Sequence, residues 1–131
     1  MDGLTSNIQR ETTDNLHIKR YSRGYFMLNN EEEYRQPIAL FNQSIYTDIL
    51  PERFEALEAH HFEAWLALKP SVILVSTGDK MQFLDPKWIA YFNQRGIGID
   101  TMPTESLCRT FTILAVEDRQ ALGIFFPKEE D

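Results

Sequence analysis

One cysteine, Cys108, is all that this 131-residue chain contains. A lone thiol closes no internal disulfide, so the fold must stand on its core, and a reducing compartment such as the cytoplasm is the expected home. Positive charge is also scarce: 13 lysines and arginines face 20 acidic side chains, for a net charge of −7. An acidic surface repels phosphate backbones, so no nucleic-acid partner is expected without a local basic stripe. The nearest approach to one is HIKRYSR at residues 17–23, which reads as an ordinary strand with solvated cations. Long apolar runs are missing too. A membrane helix needs ~20 such residues, whereas the best run here, Val72 to Val75, suits one short strand. Direct membrane insertion is therefore not expected. The polar opening MDGLTSNIQRETTDN has neither an apolar h-region nor a basic leader and does not read as a secretory signal.

What is present is apolar and aromatic. Hydrophobic residues make up 43% of the chain and aromatics 12%, enough for a core without covalent staples. Nine phenylalanines, five tyrosines and two tryptophans exceed what a core of this size must hide. Exposed aromatic surface, and hence a protein partner, is expected; self-association into a homo-oligomer is left open.

Residues 1–14 lack apolar periodicity and read as an arm, residues 15–127 as a single domain, and residues 128–131 as an acidic tail. Leu16 and Ile18, then Tyr25 and Met27, alternate with polar neighbours around Arg23-Gly24, the pattern of a β-hairpin or meander. Pro37 opens a further extended run, PIALFNQSIY. From Pro51 to Lys69 the residues Phe54, Leu57, Ala64, Trp65 and Leu68 share a helical face; one helix, or a turn followed by a helix from about Ala59, fits equally. Pro70 ends it, and Val72 to Val75 follows as a strand turning at Ser76-Thr77-Gly78. Asp85-Pro86 starts a second helix carrying Trp88, Ile89 and Phe92 inward. Gly96 stops it before a strand at Ile97 to Ile99. Thr104 is the expected cap of a third helix, and Leu122 to Phe126 the closing strand.

Strand, helix and strand make one parallel βαβ unit. With the extended runs before it, the chain is expected to be an α/β domain with a mixed sheet and an additional N-terminal β layer. In such folds, turns at the carboxyl ends of parallel strands line the ligand crevice; here those are residues 76–80 and 100–104. A small-molecule or anion site would use Ser76, Thr77, Gly78, Thr104 and Arg109.

Cys108 lies on the shoulder of the stripe formed by Leu107, Phe111, Leu114 and Ala115, at about 100° of helical turn per residue. A catalytic thiol wants access and a cationic or helix-terminal setting, whereas this position suits packing. Arg109 falls between Val116 and Ile113 on a second apolar face. A half-buried guanidinium there needs a carboxylate or carbonyl partner, either as a structural salt bridge or as an anion-binding group. No metal site is expected: His60 and His61 are neighbours pointing about 100° apart on a helix and do not share an ion. Gly96-Ile97-Gly98 precedes its strand and lacks the third glycine of a dinucleotide fingerprint. No cofactor is expected.

These elements in this order resemble a known family. Ser76-Thr77-Gly78, Phe83-Leu84-Asp85-Pro86, Gly96-Ile97-Gly98, Met102, Thr104 and Cys108-Arg109-Thr110-Phe111-Thr112 match its Gly-Thr-Gly turn, aromatic-Leu-x-Pro helix start, GIG, and Met…Thr…CRTYN run. The family is a domain of unknown function shared by bacteria and archaea with the mitochondrial complex I assembly factor three, and the match runs from about Pro37 to Phe126. The resemblance implies a three-layer α/β fold, a non-catalytic assembly or interaction role, and no cofactor. Ser76 replaces the first glycine of the pattern, Phe111-Thr112 replaces Tyr-Asn, and Pro103 stands where an acidic residue is common. Loss of the Tyr-Asn pair weakens any catalytic reading of that helix.

Overall fold

A computed structural model describes residues 15–22, 24–117 and 120–127. The arm at residues 1–14 and the tail at residues 128–131 lie outside the described residues. The strands are β1 (Ile18–Ser22), β2 (Tyr25–Leu28), β3 (Glu33–Tyr34), β4 (Ile38–Phe41), β5 (Ser44–Tyr46), β6 (Val72–Ser76), β7 (Gly98–Met102) and β8 (Ala121–Phe125). The helices are α1 (Ala59–Ala67), α2 (Pro86–Asn93) and α3 (Thr104–Val116), with a 3₁₀ turn at Phe54–Ala56.

Five strands form the central sheet in the order β5-β4-β8-β6-β7. β6 runs parallel to both β7 and β8, and β4 runs antiparallel to β8. The sheet is therefore mixed, and it holds a second crossover beyond the βαβ unit of the sequence reading: β7, α3, then β8. The first crossover steps outward from β6 to β7, and the second steps back past β6 to β8. Crossovers of one hand that step in opposite directions place their helices on opposite faces. The packing agrees, with Phe92 of α2 in one core and Leu107 and Phe111 of α3 in the other.

Period-two alternation builds both cores from the same strands. Ala39, Phe41, Ile73, Val75, Leu122 and Ile124 point to the α1–α2 side. Ile38, Leu40, Leu74, Ala121 and Phe125 point to the other, where α3 and the antiparallel sheet β1-β2-β3 cover them with Leu107, Phe111, Ile18, Phe26 and Leu28. The layers are thus helices, central sheet, and α3 with the N-terminal sheet. Gly123 makes the second packing feasible. A Cβ there would meet ring atoms of Phe125 at 2.7 Å and of Phe111 at 2.8 Å, so only glycine lets α3 lie so close.

Local details depart from the sequence reading at the PIALFNQSIY run and at Thr104, and they settle the alternative left open after Pro51. PIALFNQSIY is a hairpin rather than one extended run, because Asn42 and Gln43 both adopt left-handed φ of 53° and 68°. Asparagine tolerates that conformation; at Gln43 the side chain compensates by accepting from Leu16 N–H at 2.7 Å. The segment from Pro51 is a turn followed by a helix, which Glu58 caps: its side chain accepts from His61 N–H while His61 Nδ1 accepts from Glu58 N–H at 2.9 Å. Thr104 is not the cap of α3. It is the first helical residue, and its hydroxyl bonds elsewhere.

Candidate functional site

At the carboxyl ends of β6 and β8 and the start of α3, three chain segments meet through hydrogen bonds. Ser76 Oγ accepts from Phe126 N–H at 2.6 Å. Thr104 Oγ1 donates to Phe126 C=O at 2.7 Å and accepts from Gly78 N–H at 3.0 Å. Thr104 N–H donates in return to Gly78 C=O at 2.9 Å, and Thr77 N–H donates to Met102 C=O at 2.9 Å. Thr77 Oγ1 donates to Lys80 C=O at 2.6 Å. Ser76, Thr77 and Thr104 are buried. Burying hydroxyls requires such partners, and here they come from the protein itself. The result is a polar knot joining three chain segments. Gly78, at a φ of 87° with open space where a Cβ would stand, is glycine for its backbone conformation, not for room.

Beside the knot lies a groove of about 310 Å³, lined among others by Arg53, Glu55, Thr77, Gly78, Lys80 and Gln82. Gln82 Nε2 bridges Glu55 Oε2 at 2.8 Å and Thr77 C=O at 3.1 Å across it. That hydrogen bond, with the backbone of Glu55 and the nearby Arg53, holds the Glu55 carboxyl below its usual range. Next to this groove Phe83 is 79% exposed.

Cys108 and Arg109 lie elsewhere. They line a second groove, of about 590 Å³, between α3 and β1, together with Ile18, Lys19, Arg20, Tyr21, Glu105 and Ile113. The residues proposed from sequence for one crevice therefore divide: Thr77 and Gly78 border one groove, Cys108 and Arg109 the other, and Ser76 and Thr104 are closed into the knot. The expected half burial of Arg109 is overturned. Its side chain is 70% exposed, and it pairs with Glu105 at 3.9 Å on its own helix instead of bracing a turn. The expectation of half burial rested on Ile113 and Val116, but both are exposed, so that side of α3 is a solvent face. Cys108 is buried. Burial pushes its thiol up to about 12, against the opposing pull of the Arg109 charge, so little thiolate exists near neutrality.

The sequence reading missed Gln82 and Glu55, which no motif marks, and Phe126, whose backbone closes the knot. It noticed Lys19 and Arg20 only as solvated cations. His61 is buried, and burial followed by the neighbouring His60 charge lowers its pKa. Among the described residues, no three or more of His, Cys, Asp and Glu converge to hold a metal ion.

Fold and site define a three-layer α/β domain whose strand-end turns are closed by its own hydroxyls. The chain belongs to the family described as "Protein of unknown function (DUF498/DUF598)", matched over residues 18–126. That span takes in the N-terminal sheet, which the resemblance noted from sequence, beginning at Pro37, did not reach. The chain is 32% identical over 131 residues to NADH dehydrogenase [ubiquinone] 1 alpha subcomplex assembly factor 3 of Bos taurus, covering 93% of this chain and 66% of that protein. The chain thus spans about two thirds of the length of that relative. It is 32% identical over 105 residues to a 13 kDa major membrane protein of Francisella tularensis subsp. holarctica, covering 78% of this chain and 83% of that one. Its fold matches the NMR structure of a Xanthomonas campestris protein with a TM-score of 0.77 at 25% identity, covering 91% and 89% of the two chains.

Proposed function

We propose that this protein is a non-catalytic interaction protein acting in the assembly of a larger complex, located in the cytoplasm and working without a cofactor. The observation that carries the reading is the closed knot. The N–H groups of Thr77 and Gly78 and the hydroxyls of Ser76 and Thr104 already have protein partners, so the groups expected to converge on an anion or substrate there are engaged in holding the fold. Exposed apolar side chains, Phe83 and Met81 on one loop and Ile113 and Val116 on α3, supply the kind of surface that association uses. Relatives named as assembly factor 3 of NADH dehydrogenase suggest that respiratory NADH dehydrogenase is the complex concerned. No helix among the described residues is long and apolar enough to cross a membrane, which fits an adaptor reaching membrane subunits from the aqueous side.

The test is removal of the gene, with native gel electrophoresis of NADH dehydrogenase. The expected result is loss of the full complex with accumulation of partial assemblies, restored by the wild-type chain. An unchanged complex overturns the reading.

A further inference from the structure

The groove between β1 and α3 differs in charge from the chain as a whole. Its lining carries three cations, Lys19, Arg20 and Arg109, against one carboxylate, Glu105, on a chain of net charge −7. Two structural features concentrate these cations. β1 is an edge strand of its sheet, so among the described residues one side of it has no strand neighbour. Its pairing with β2 also slips between Ile18 and Arg20, and this irregularity breaks the alternation, leaving Lys19 and Arg20 both exposed. Bulges at edges re-aim side chains in this way. Opposite them Arg109 stands on the solvent face of α3, and Ile113, 59% exposed, adds an apolar contact beside Ile18 and Tyr21.

Resting on the interaction reading above, we propose that this groove is the docking site for an acidic, extended peptide segment of a partner protein. The segment would lie along β1, with carboxylates facing Lys19, Arg20 and Arg109 and an apolar side chain against Ile113. The ion pairs now present do not obstruct it. Lys19–Glu31 at 2.7 Å and Arg109–Glu105 at 3.9 Å are both exposed, and such pairs are weak enough to exchange for an incoming carboxylate. A volume of about 590 Å³ is within the usual range of ligand sites, about 300–1,000 Å³. Extended peptides commonly dock against open strand edges. A second copy of β1 is a poor occupant, since Lys19 and Arg20 would face their own kind; edge cations discourage that pairing.

The experiment uses the full chain and a fluorescent peptide of alternating glutamate and leucine, with the glutamine-for-glutamate peptide as control, in anisotropy titrations and amide-shift mapping. The glutamate peptide is expected to bind at least about tenfold more tightly than the control, weakening as salt rises. Shifts should fall on residues 17–21 and 105–113. The Arg20→Glu/Arg109→Glu variant, altered only at exposed positions, should lose about tenfold or more in affinity while keeping a cooperative melt. Equal binding of both peptides, undiminished binding by the charge-reversed variant, or shifts confined to residues 79–85 overturns the proposal. So does binding that emerges only once residues 129–131, Glu-Glu-Asp, are removed, because that gives the groove to the chain's own acidic segment. So does a stable dimer that the charge reversal dissolves. The two readings fail separately. If the charge-reversed variant fully restores the complex in cells lacking the gene, the groove is wrong while the assembly role stands. If gene removal leaves the complex intact but the peptide binds as described, the assembly role is wrong while the groove stands.

Discussion

The strand-end knot and the β1–α3 groove are both polar regions, put to opposite uses. In the knot, hydroxyls and amide groups are buried and bonded to one another, so their contribution is to stability and to the joining of β6, β8 and α3. In the groove, charges stand in water and are held only by loose pairs. The rule that ligands bind at the carboxyl ends of parallel strands pointed to the knot. The rule holds where those turns leave donors unpaired, and here Met102, Thr104 and Phe126 pair those of Thr77, Gly78 and the Thr104 hydroxyl. Position in a fold nominates a site; the hydrogen-bond inventory decides whether anything is left to bind.

The comparison breaks most directly at Thr104. Thr104→Val keeps the shape but strips the hydroxyl from between Gly78 N–H and Phe126 C=O, leaving polar groups without their partner. Urea unfolding should show a loss of about 2–4 kcal/mol. A loss below about 0.5 kcal/mol would mean that the knot is not structural and would reopen the strand-end turns as a ligand site. Gly123→Ala tests the packing that sets α3, and with it the groove wall. A Cβ 2.7–2.8 Å from the Phe111 and Phe125 rings should cost on the order of 1–3 kcal/mol and disturb amide shifts along α3. An unperturbed variant would show that α3 has slack and that the groove width is not set by this contact.

Cys108 separates the two regions by titration. Its folded pKa is raised to about 12, while an unfolded thiol ionises near 8.5. Unfolding therefore releases a proton between those values. The stability linked to the thiol is intact below about pH 8.5 and declines as pH rises toward about 12. Cys108→Ala should cost on the order of 1 kcal/mol at neutral pH and should reduce the alkaline decline. Native-state labelling by a small thiol reagent should be slow at pH 8; fast labelling that titrates below about 8.5 would place an accessible thiolate in the groove. The smallest effect is expected at Arg109. Arg109→Met removes one exposed pair within a helix and should change stability by no more than about 0.5 kcal/mol. A larger loss would return Arg109 to the role of structural brace.

Much of the fold was legible in the chain because its signals are local. Pro86 and Asp85 start α2, with Asp85 Oδ1 accepting from Lys87 N–H at 3.0 Å; Gly96 ends it with a φ of 79°; and alternation through β6 and β8 assigns residues to the two faces. A capping bond or a left-handed turn involves neighbours a few positions apart, so the residues that make it are read together. Family membership was legible for the same reason, through short elements in a fixed order. Even here, long-range context was needed to separate a hairpin at Asn42-Gln43 from one extended run.

The sites were not legible, because burial and partnership are properties of distant segments. Thr104 looks like a helix cap until the Phe126 carbonyl, 22 residues away, accepts its hydroxyl hydrogen bond. Arg109 looks half buried until Ile113 and Val116 prove to face water. Lys19 and Arg20 look like ordinary strand cations until the slip in pairing exposes both and α3 sets Arg109 across from them. Sequence determined most of the elements and their order, since those follow from periodicity and local hydrogen bonding. Tertiary structure alone decided which polar groups were satisfied and which charges were gathered, since both depend on what the folded chain brings alongside.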